Sequence, residues 1–177
     1  MKIIVEDTNI IIDLFKTGLI SFCHELKLEF HTTRYVVAEI LDSSQSAVLI
    51  VMINNGQLLV DDFVGEEYEQ LIKYIAECNG ENNLSEADCS VLLLAKRLEC
   101  RLLTSDQKLK RKAEEHGVEV NGFLWLTDLL VEEQIVTEKT MVKHLNRYLE
   151  TNPRAPENEV VKRIDFYNKK IIMNNKL

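Results

Sequence analysis

Proline is almost absent from this chain: two occur in 177 residues, Pro153 and Pro156, both within Thr-Asn-Pro-Arg-Ala-Pro near the C-terminal end. That stretch is the one linker-like segment, so no Pro-rich hinge divides the residues before it. No apolar run approaches the roughly 20 residues that span a bilayer. Met1-Lys2 lead straight into strand-like residues, without the basic segment, apolar stretch and small-residue cleavage site of a secretory leader. The expected location is therefore cytoplasmic. There is no internal repeat and no low-complexity segment. The four cysteines, Cys23, Cys78, Cys89 and Cys100, form no CxxC pair and have no histidine at ligand spacing. They read as buried free thiols in a reducing compartment, which argues against a structural zinc site. Basic residues are in deficit: 21 Lys and Arg against 29 Asp and Glu give a net charge of -8. This argues against a general nucleic-acid coat protein. It leaves room for an enzyme with an acidic centre, where divalent ions supply the local positive charge.

What is present fits one domain with a real core, since 46% of residues are hydrophobic. Short apolar runs alternate with helical periodicity. Strands are expected at residues 3–5, 29–32, 58–60, 101–104 and 118–120. Helices are expected at 10–15, 19–26, 35–41, 46–54, 66–77, 108–116, 123–130 and 138–149, with a last one after Pro156. Asn55-Gly56, Asn79-Gly80 and Gly117 read as helix stops, and Ser85 as an N-cap with Asp88 three positions on, near a capping box. The 66–77 helix is expected to bury Tyr68, Leu71, Ile72 and Ile75. Strands separated by helices predict an α/β fold with a parallel sheet covered on both faces.

Most of the acids suit a solvated surface; four do not. Asp7 closes the apolar run Ile3-Ile4-Val5, and Asp106 follows the strand Leu102-Leu103-Thr104. The carboxyl ends of parallel strands are where open α/β sheets bind ligands. Asp88 lies on the helix stripe of Val91, Leu92 and Ala95, and Glu39 is the lone acid in Tyr35-Val36-Val37-Ala38-Glu39-Ile40-Leu41. Each has a plain structural explanation: helix-dipole partner for Asp88, N-cap for Asp106, an exposed position for Glu39. Together they predict four carboxylates at one rim, which cannot all stay ionised without cations. A set without thiol or imidazole suits Mg2+ or Mn2+ better than zinc. Asp13 reads as a helix-surface acid outside the set.

Asp7-Thr8-Asn9 after the first strand, Glu39 in its apolar helix, Ser85-Glu86-Ala87-Asp88 opening a helix and Thr104-Ser105-Asp106 after a strand together resemble the PIN domain, in order and in rough spacing. The resemblance runs from residue 1 to about residue 130, including Val118 to Gly122 and the helix that starts Phe123-Leu124-Trp125-Leu126. It implies a three-layer α/β/α sandwich with a short, mostly parallel central sheet, with residues 1–132 as the nuclease domain and 133–177 as a helical C-terminal extension. It also implies a metal-dependent ribonuclease acting on single-stranded RNA. Many small bacterial and archaeal members are VapC-like toxins of toxin–antitoxin pairs, and many are homodimers; an antitoxin protein and a second copy are thus expected partners beside RNA. Carried over by position, Asp7, Glu39, Asp88 and Asp106 are the catalytic, metal-binding set. Thr8, Asn9 and Thr104 would position them. Glu86 is a second candidate for the third ligand, but residues two apart do not share a helix face, and the Val91-Leu92-Ala95 stripe favours Asp88.

The chemistry expected is phosphodiester hydrolysis by in-line attack of water, with Mg2+ or Mn2+ as cofactor. Lys108, Lys110 and Arg111, with Lys112, form the densest basic cluster and could contact phosphates; as solvated lysines of a helix face they need no such role. Arg34 and Arg97 are further candidates. The alternative from another class is a catalytically silent PIN-like module that binds RNA or protein. A flap-type DNA nuclease would need a helical arch that is not visible. A receiver-like domain would have to use Asp61-Asp62 with Lys108, a poor version of its pattern.

Overall fold

The structure, a computed structural model, describes residues 2–81 and 83–174. Its elements in chain order are β1 (Lys2–Glu6), α1 (Thr8–Thr17), α2 (Ile20–Cys23), β2 (Leu28–Thr33), α3 (Arg34–Glu39), α4 (Ser43–Asn54), β3 (Leu59–Asp61), α5 (Glu66–Glu81), α6 (Glu86–Arg97), β4 (Arg101–Leu103), α7 (Gln107–Glu115), β5 (Val120–Asn121), α8 (Phe123–Glu132), α9 (Glu138–Thr151) and α10 (Glu157–Asn174). They form two compact units. The first comprises the residues up to Ile12 and Lys27–Gly122; the second comprises Asp13–Leu26 and the chain from Phe123 onward. The boundary at 132/133 expected from the sequence lies inside the second unit, between α8 and α9.

The first unit is built on a five-stranded sheet in the order β3-β2-β1-β4-β5. Each pair is parallel, with Val5 beside both His31 and Leu102, and Leu103 beside Asn121. The central strands are short apolar runs because both faces are covered: Ile4, Val5, Leu102 and Leu103 are fully buried. From β1 the chain steps outward to β2 and β3, then returns to β4 and β5 on the other side. The order therefore reverses between β1 and β4, the switch point at which the strand ends leave a crevice. The loops carrying Asp7 and Asp106 flank it.

α6 crosses β1, β2 and β4. It starts where it does because Ser85 accepts from the Asp88 amide while the Asp88 carboxylate accepts from the Ser85 amide, a complete capping box. It ends at Arg97, and Glu99 turns the chain with a φ of 49°. Val91, Leu92, Leu94 and Ala95 are wholly buried; each of the three larger side chains contributes about 1.5–3 kcal/mol. Because the C-terminal end of α6 feeds β4, its N-terminal end lies at the carboxyl rim of the sheet.

Two local expectations change. α5 runs through Asn79-Gly80 to Glu81 rather than stopping at them. Its buried stripe is Leu71, Ile75 and Cys78, whereas Tyr68 and Ile72 are 40% and 46% exposed. The i, i+4, i+7 anchoring extends to Cys78, and one helical glycine costs only about 1 kcal/mol against it. α2 is also shorter than residues 19–26, following Gly18 at a φ of 79°.

In the second unit α9 packs on both α8 and α10. Phe123 and Tyr148 stack with ring centroids 4.1 Å apart. Asp128 of α8 accepts from Arg163 Nε at 2.9 and 3.0 Å and from the Tyr167 hydroxyl at 2.8 Å. Asp13 departs from the surface position expected of it. It is 5% exposed, and both its oxygens accept from Asn152 Nδ2 at 3.0 Å. Burial pushes its carboxyl up to about 6, against the opposing pull of Asn152 and Lys16. With the folded value raised, the unfolded chain releases this proton first, so stability falls between about pH 4 and pH 6 and stays reduced above. Asp13→Asn keeps an acceptor for Asn152 and removes the charge. It should raise the melting temperature at pH 7.5 by a few degrees, about 1–2 kcal/mol after allowance for partial solvent screening. A melting series should show the advantage disappear by pH 4; an unchanged gap there would contradict the assignment to ionisation.

Candidate active site

Asp7 continues β1 by one ladder bond, its amide donating to the Leu103 carbonyl at 3.0 Å. This pins its side chain at the mouth of the β1/β4 crevice, 2% exposed. Three donors converge on it. The Thr8 amide donates to Oδ1 at 2.7 Å, and the Thr104 hydroxyl at 2.7 Å and Asn9 Nδ2 both donate to Oδ2. The same groups tie the two strand ends together: Ser105 N donates to Asn9 Oδ1 at 3.0 Å, and Asp106 N donates to Thr104 Oγ1 at 3.0 Å. Asp106 caps α7, its Oδ1 accepting from the Lys108 and Leu109 amides at 2.8 and 2.9 Å. The cap engages one oxygen of Asp106 only.

Glu39 is the last residue of α3, a helix that starts at the rim because Thr33 of β2 caps it. The Thr33 hydroxyl also shares a 2.7 Å hydrogen bond with Ser90 Oγ, one turn into α6. That contact fixes α3 against the opening turn of α6. Glu39 is exposed and accepts from the Thr8 hydroxyl at 2.7 Å through Oε2. Among the described residues, Glu39 Oε1 and Asp106 Oδ2 accept no hydrogen bond.

The electrostatics join the four acids. Burial pushes the Asp7 carboxyl up to about 7; Thr104 and the Thr8 amide pull against this, while Asp88 and Glu39 add to it. The Asp88 carboxyl is raised as well, first by burial, against its bonds to Ser85, and then by Asp106 and Glu39. Asp88 therefore feels each of the other three. Among the described residues, no three His, Cys, Asp or Glu side chains stand together at metal-ligating geometry. The donor set still fits a hard divalent cation. It is all carboxylate oxygen, two of its oxygens accept no hydrogen bond among the described residues, and the burial that lifts Asp7 and Asp88, with the smaller repulsion among the acids, is what a bound cation would offset.

Glu86, the rival to Asp88, is exposed on the first turn of α6. Lys108 and Arg111 are exposed on α7, whereas Lys110 faces Glu114 at 3.9 Å and Lys112 faces Glu115 at 3.2 Å. Arg34 pairs with Asp62 at 3.1 Å. Arg97 holds Asp61 at 2.6 Å and Glu67 at 2.9 Å. These two arginines are engaged in ion pairs around the end of β3. Two features escaped the sequence reading. His31 sits between Asp61 and Glu29, at 2.6 and 2.9 Å. Glu6, immediately before Asp7, is 3% exposed with Oε1 unpaired, and burial pushes its carboxyl up to about 8. An acid closing an apolar strand run was the available signal for Glu6; the His31 contact to Asp61 joins β2 to β3 and had none.

A parallel sheet with a β1/β4 switch point, its rim carrying four interacting acids on two strand ends and two helices, defines an α/β fold with an acidic centre. The family profile described as a PIN domain, DUF3368, matches residues 3–169, and the chain belongs to that family. The match extends through α9 and most of α10. No curated protein is significantly similar in sequence. Among solved structures, the chain is similar to a PilT N-terminus domain protein, SSO1118, from the hyperthermophilic archaeon Sulfolobus solfataricus P2, at 17% identity over 70% of this chain and 89% of that one, with a TM-score of 0.40. It is also similar to FitAcB from Neisseria gonorrhoeae, at 23% identity over 66% and 95%, with a TM-score of 0.38. Among the described residues no helix is long and apolar enough to cross a membrane.

Proposed function

We propose that this chain is a Mg2+- or Mn2+-dependent endoribonuclease that hydrolyses single-stranded RNA. The observation that carries the reading is the electrostatic coupling of Asp7, Glu39, Asp88 and Asp106 at the switch-point rim of a PIN-family chain. These four residues would hold one or two divalent ions, which when bound supply activation of water and neutralisation of charge at the phosphate. Thr104 and Asn9 keep the oxygens of Asp7 directed, and Thr8 holds Glu39; such supporting bonds tune ligand orientation. One carboxylate of the set accepts the proton of the attacking water. Lys108 and Arg111, exposed one turn beyond Asp106, meet the RNA phosphates. Family membership also supports a toxin held inactive by an antitoxin protein, and a short reading frame adjoining the gene would distinguish that role from a housekeeping nuclease.

Cleavage of a fluorescent single-stranded RNA with Mn2+ tests the reading. Asp7→Asn and Asp88→Asn should each lower the rate by about 100-fold or more. Equal rates in wild type and both variants would sink it. RNA retained but uncut by the wild type would favour the silent binding module.

A further inference from the structure

Glu39 shares its side of α3 with an aromatic ring. Tyr35, Ala38 and Glu39 stand at i, i+3 and i+4, which is one helix face. Tyr35 is half-buried, and Ala38 and Glu39 are exposed. The inward side belongs to Val36, wholly buried, and to Ile40 just past the helix. One turn separates Tyr35 from Glu39, about 6 Å along the axis. Ala38 is the small residue between them. Glu39 is fixed in turn by the hydroxyl of Thr8, the neighbour of Asp7. The ring therefore stands one turn from an acid that is electrostatically coupled to Asp7 and Asp88.

The ring is also held. The Arg34 guanidinium lies over Tyr35, 5.4 Å from the ring centroid, and donates to Asp62 at 3.1 Å. Asp62 already answers its charge, so the place of Arg34 is better explained by the ring it covers than by a phosphate contact. A guanidinium stacked on an aromatic ring fixes its orientation, and the part of Tyr35 left exposed is an oriented π surface. Leu41, two residues past Glu39, is 88% exposed and buries almost nothing against the chain as described. Apolar groups thus flank this acid on both sides in sequence.

We propose that Tyr35 is a nucleobase-stacking site: the base beside the scissile phosphate lies on its ring while that phosphate meets the acidic set. The assignment rests on the endoribonuclease reading and adds what would select the substrate. A base is uncharged, so it can approach a rim rich in carboxylates without repulsion. Every base has a π face, so stacking on a ring is tolerant of sequence. In a duplex those faces are covered by neighbouring pairs, whereas an unpaired base can be splayed onto an aromatic side chain. Tyr35 thereby supplies a preference for single strands that four carboxylates do not supply by themselves.

A short single-stranded RNA with 2-aminopurine at alternate positions reads stacking as fluorescence quenching. It is titrated with the full chain, with Ca2+ replacing Mn2+ so that binding is read apart from turnover. Wild type and Tyr35→Phe should quench with equal midpoints. Tyr35→Leu, which keeps bulk and loses the π face, should need about 10-fold more protein. In cleavage with Mn2+, Tyr35→Leu should raise KM by about the same factor with a smaller change in kcat, and its preference for single over double strands should shrink. A midpoint that Tyr35→Leu leaves unchanged overturns the stacking site and leaves the nuclease reading standing. Equal losses in Tyr35→Phe and Tyr35→Leu would trace binding to the hydroxyl and overturn it too. Quenching that depends on the ring, in RNA that is never cut, supports the stacking site and sinks the nuclease reading. RNA neither bound nor cut by wild type overturns both.

Discussion

Mn2+ should raise the melting temperature of the wild-type chain by about 5–10 °C at pH 8 and by little at pH 5.5, and Asp7→Asn should abolish the gain. The site places Asp7 among like charges at 2% exposure with its carboxyl pushed up to about 7. A raised folded value means the folded chain keeps this proton after the unfolded chain has lost it. Stability therefore falls as pH rises from about 4 to about 7, and the penalty is fully present at pH 8. A ligating carboxylate must be ionised. At pH 5.5 the ion has to displace a proton; at pH 8 it meets a bare anion whose repulsion it relieves. At a concentration 100 times its dissociation constant, a ligand adds about 2.7 kcal/mol, and 1 kcal/mol shifts a chain of this size by about 2–4 °C. Differential scanning fluorimetry with and without Mn2+ at both pH values reads the effect directly. A gain of equal size in Asp7→Asn would place the ion elsewhere. A gain larger at pH 5.5 than at pH 8 would reverse the sign of the linkage and remove Asp7 from the set. The measurement needs no substrate, so it separates a cation site from the choice of RNA.

The candidate site was legible in the sequence because its members sit at positions that local rules mark. Asp7 and Asp106 close apolar strand runs, and Ser85 with Asp88 spells a cap. The topology brings such positions to one rim without any further information. Asp106 shows the limit of weighing one role against another: it caps α7 through Oδ1 alone, so the cap does not exclude the role proposed for it, because a carboxylate has two oxygens. The illegible parts are those fixed by distant partners. Asp13 shares the buried i, i+3, i+4, i+7 stripe of Ile10, Leu14 and Thr17 on α1, but the group that makes an acid tolerable there, Asn152, is 139 residues away. Tyr68 and Ile72 match a helical stripe on α5 as well as Leu71 and Ile75 do, yet they remain exposed. Periodicity gives the width of an apolar face; the neighbouring elements decide which part of it is covered. α4 is the opposite case, apolar on every side, where period alone chooses no face at all.

Glu6→Met should raise the melting temperature at pH 8 by about 10 °C or more, with a smaller advantage at pH 4.5. Glu6 is the last residue of β1, 3% exposed, with Oε1 unpaired and the carboxyl pushed up to about 8 by burial alone. At neutral pH the folded chain holds a neutral acid where the unfolded chain holds a carboxylate. Each unit of that difference costs 1.36 kcal/mol. The stabilisation a neutral Glu6 allows is complete below about pH 4.5, declines as pH rises, and is gone above about pH 8, where the cost is on the order of 5 kcal/mol. Methionine matches glutamate in length, fills the same volume and has no proton to lose, so the variant escapes the pH-dependent part altogether. It also removes an unpaired buried oxygen, worth about 1–3 kcal/mol at any pH. Glu6→Gln separates the two contributions. It removes the titration but keeps a polar group without a partner, so its advantage at pH 8 should be smaller than that of methionine and close to zero at pH 4.5. If both variants melt below wild type at pH 8, the side chain is held by contacts that stabilise its charged form, and the assignment of its raised carboxyl to burial fails.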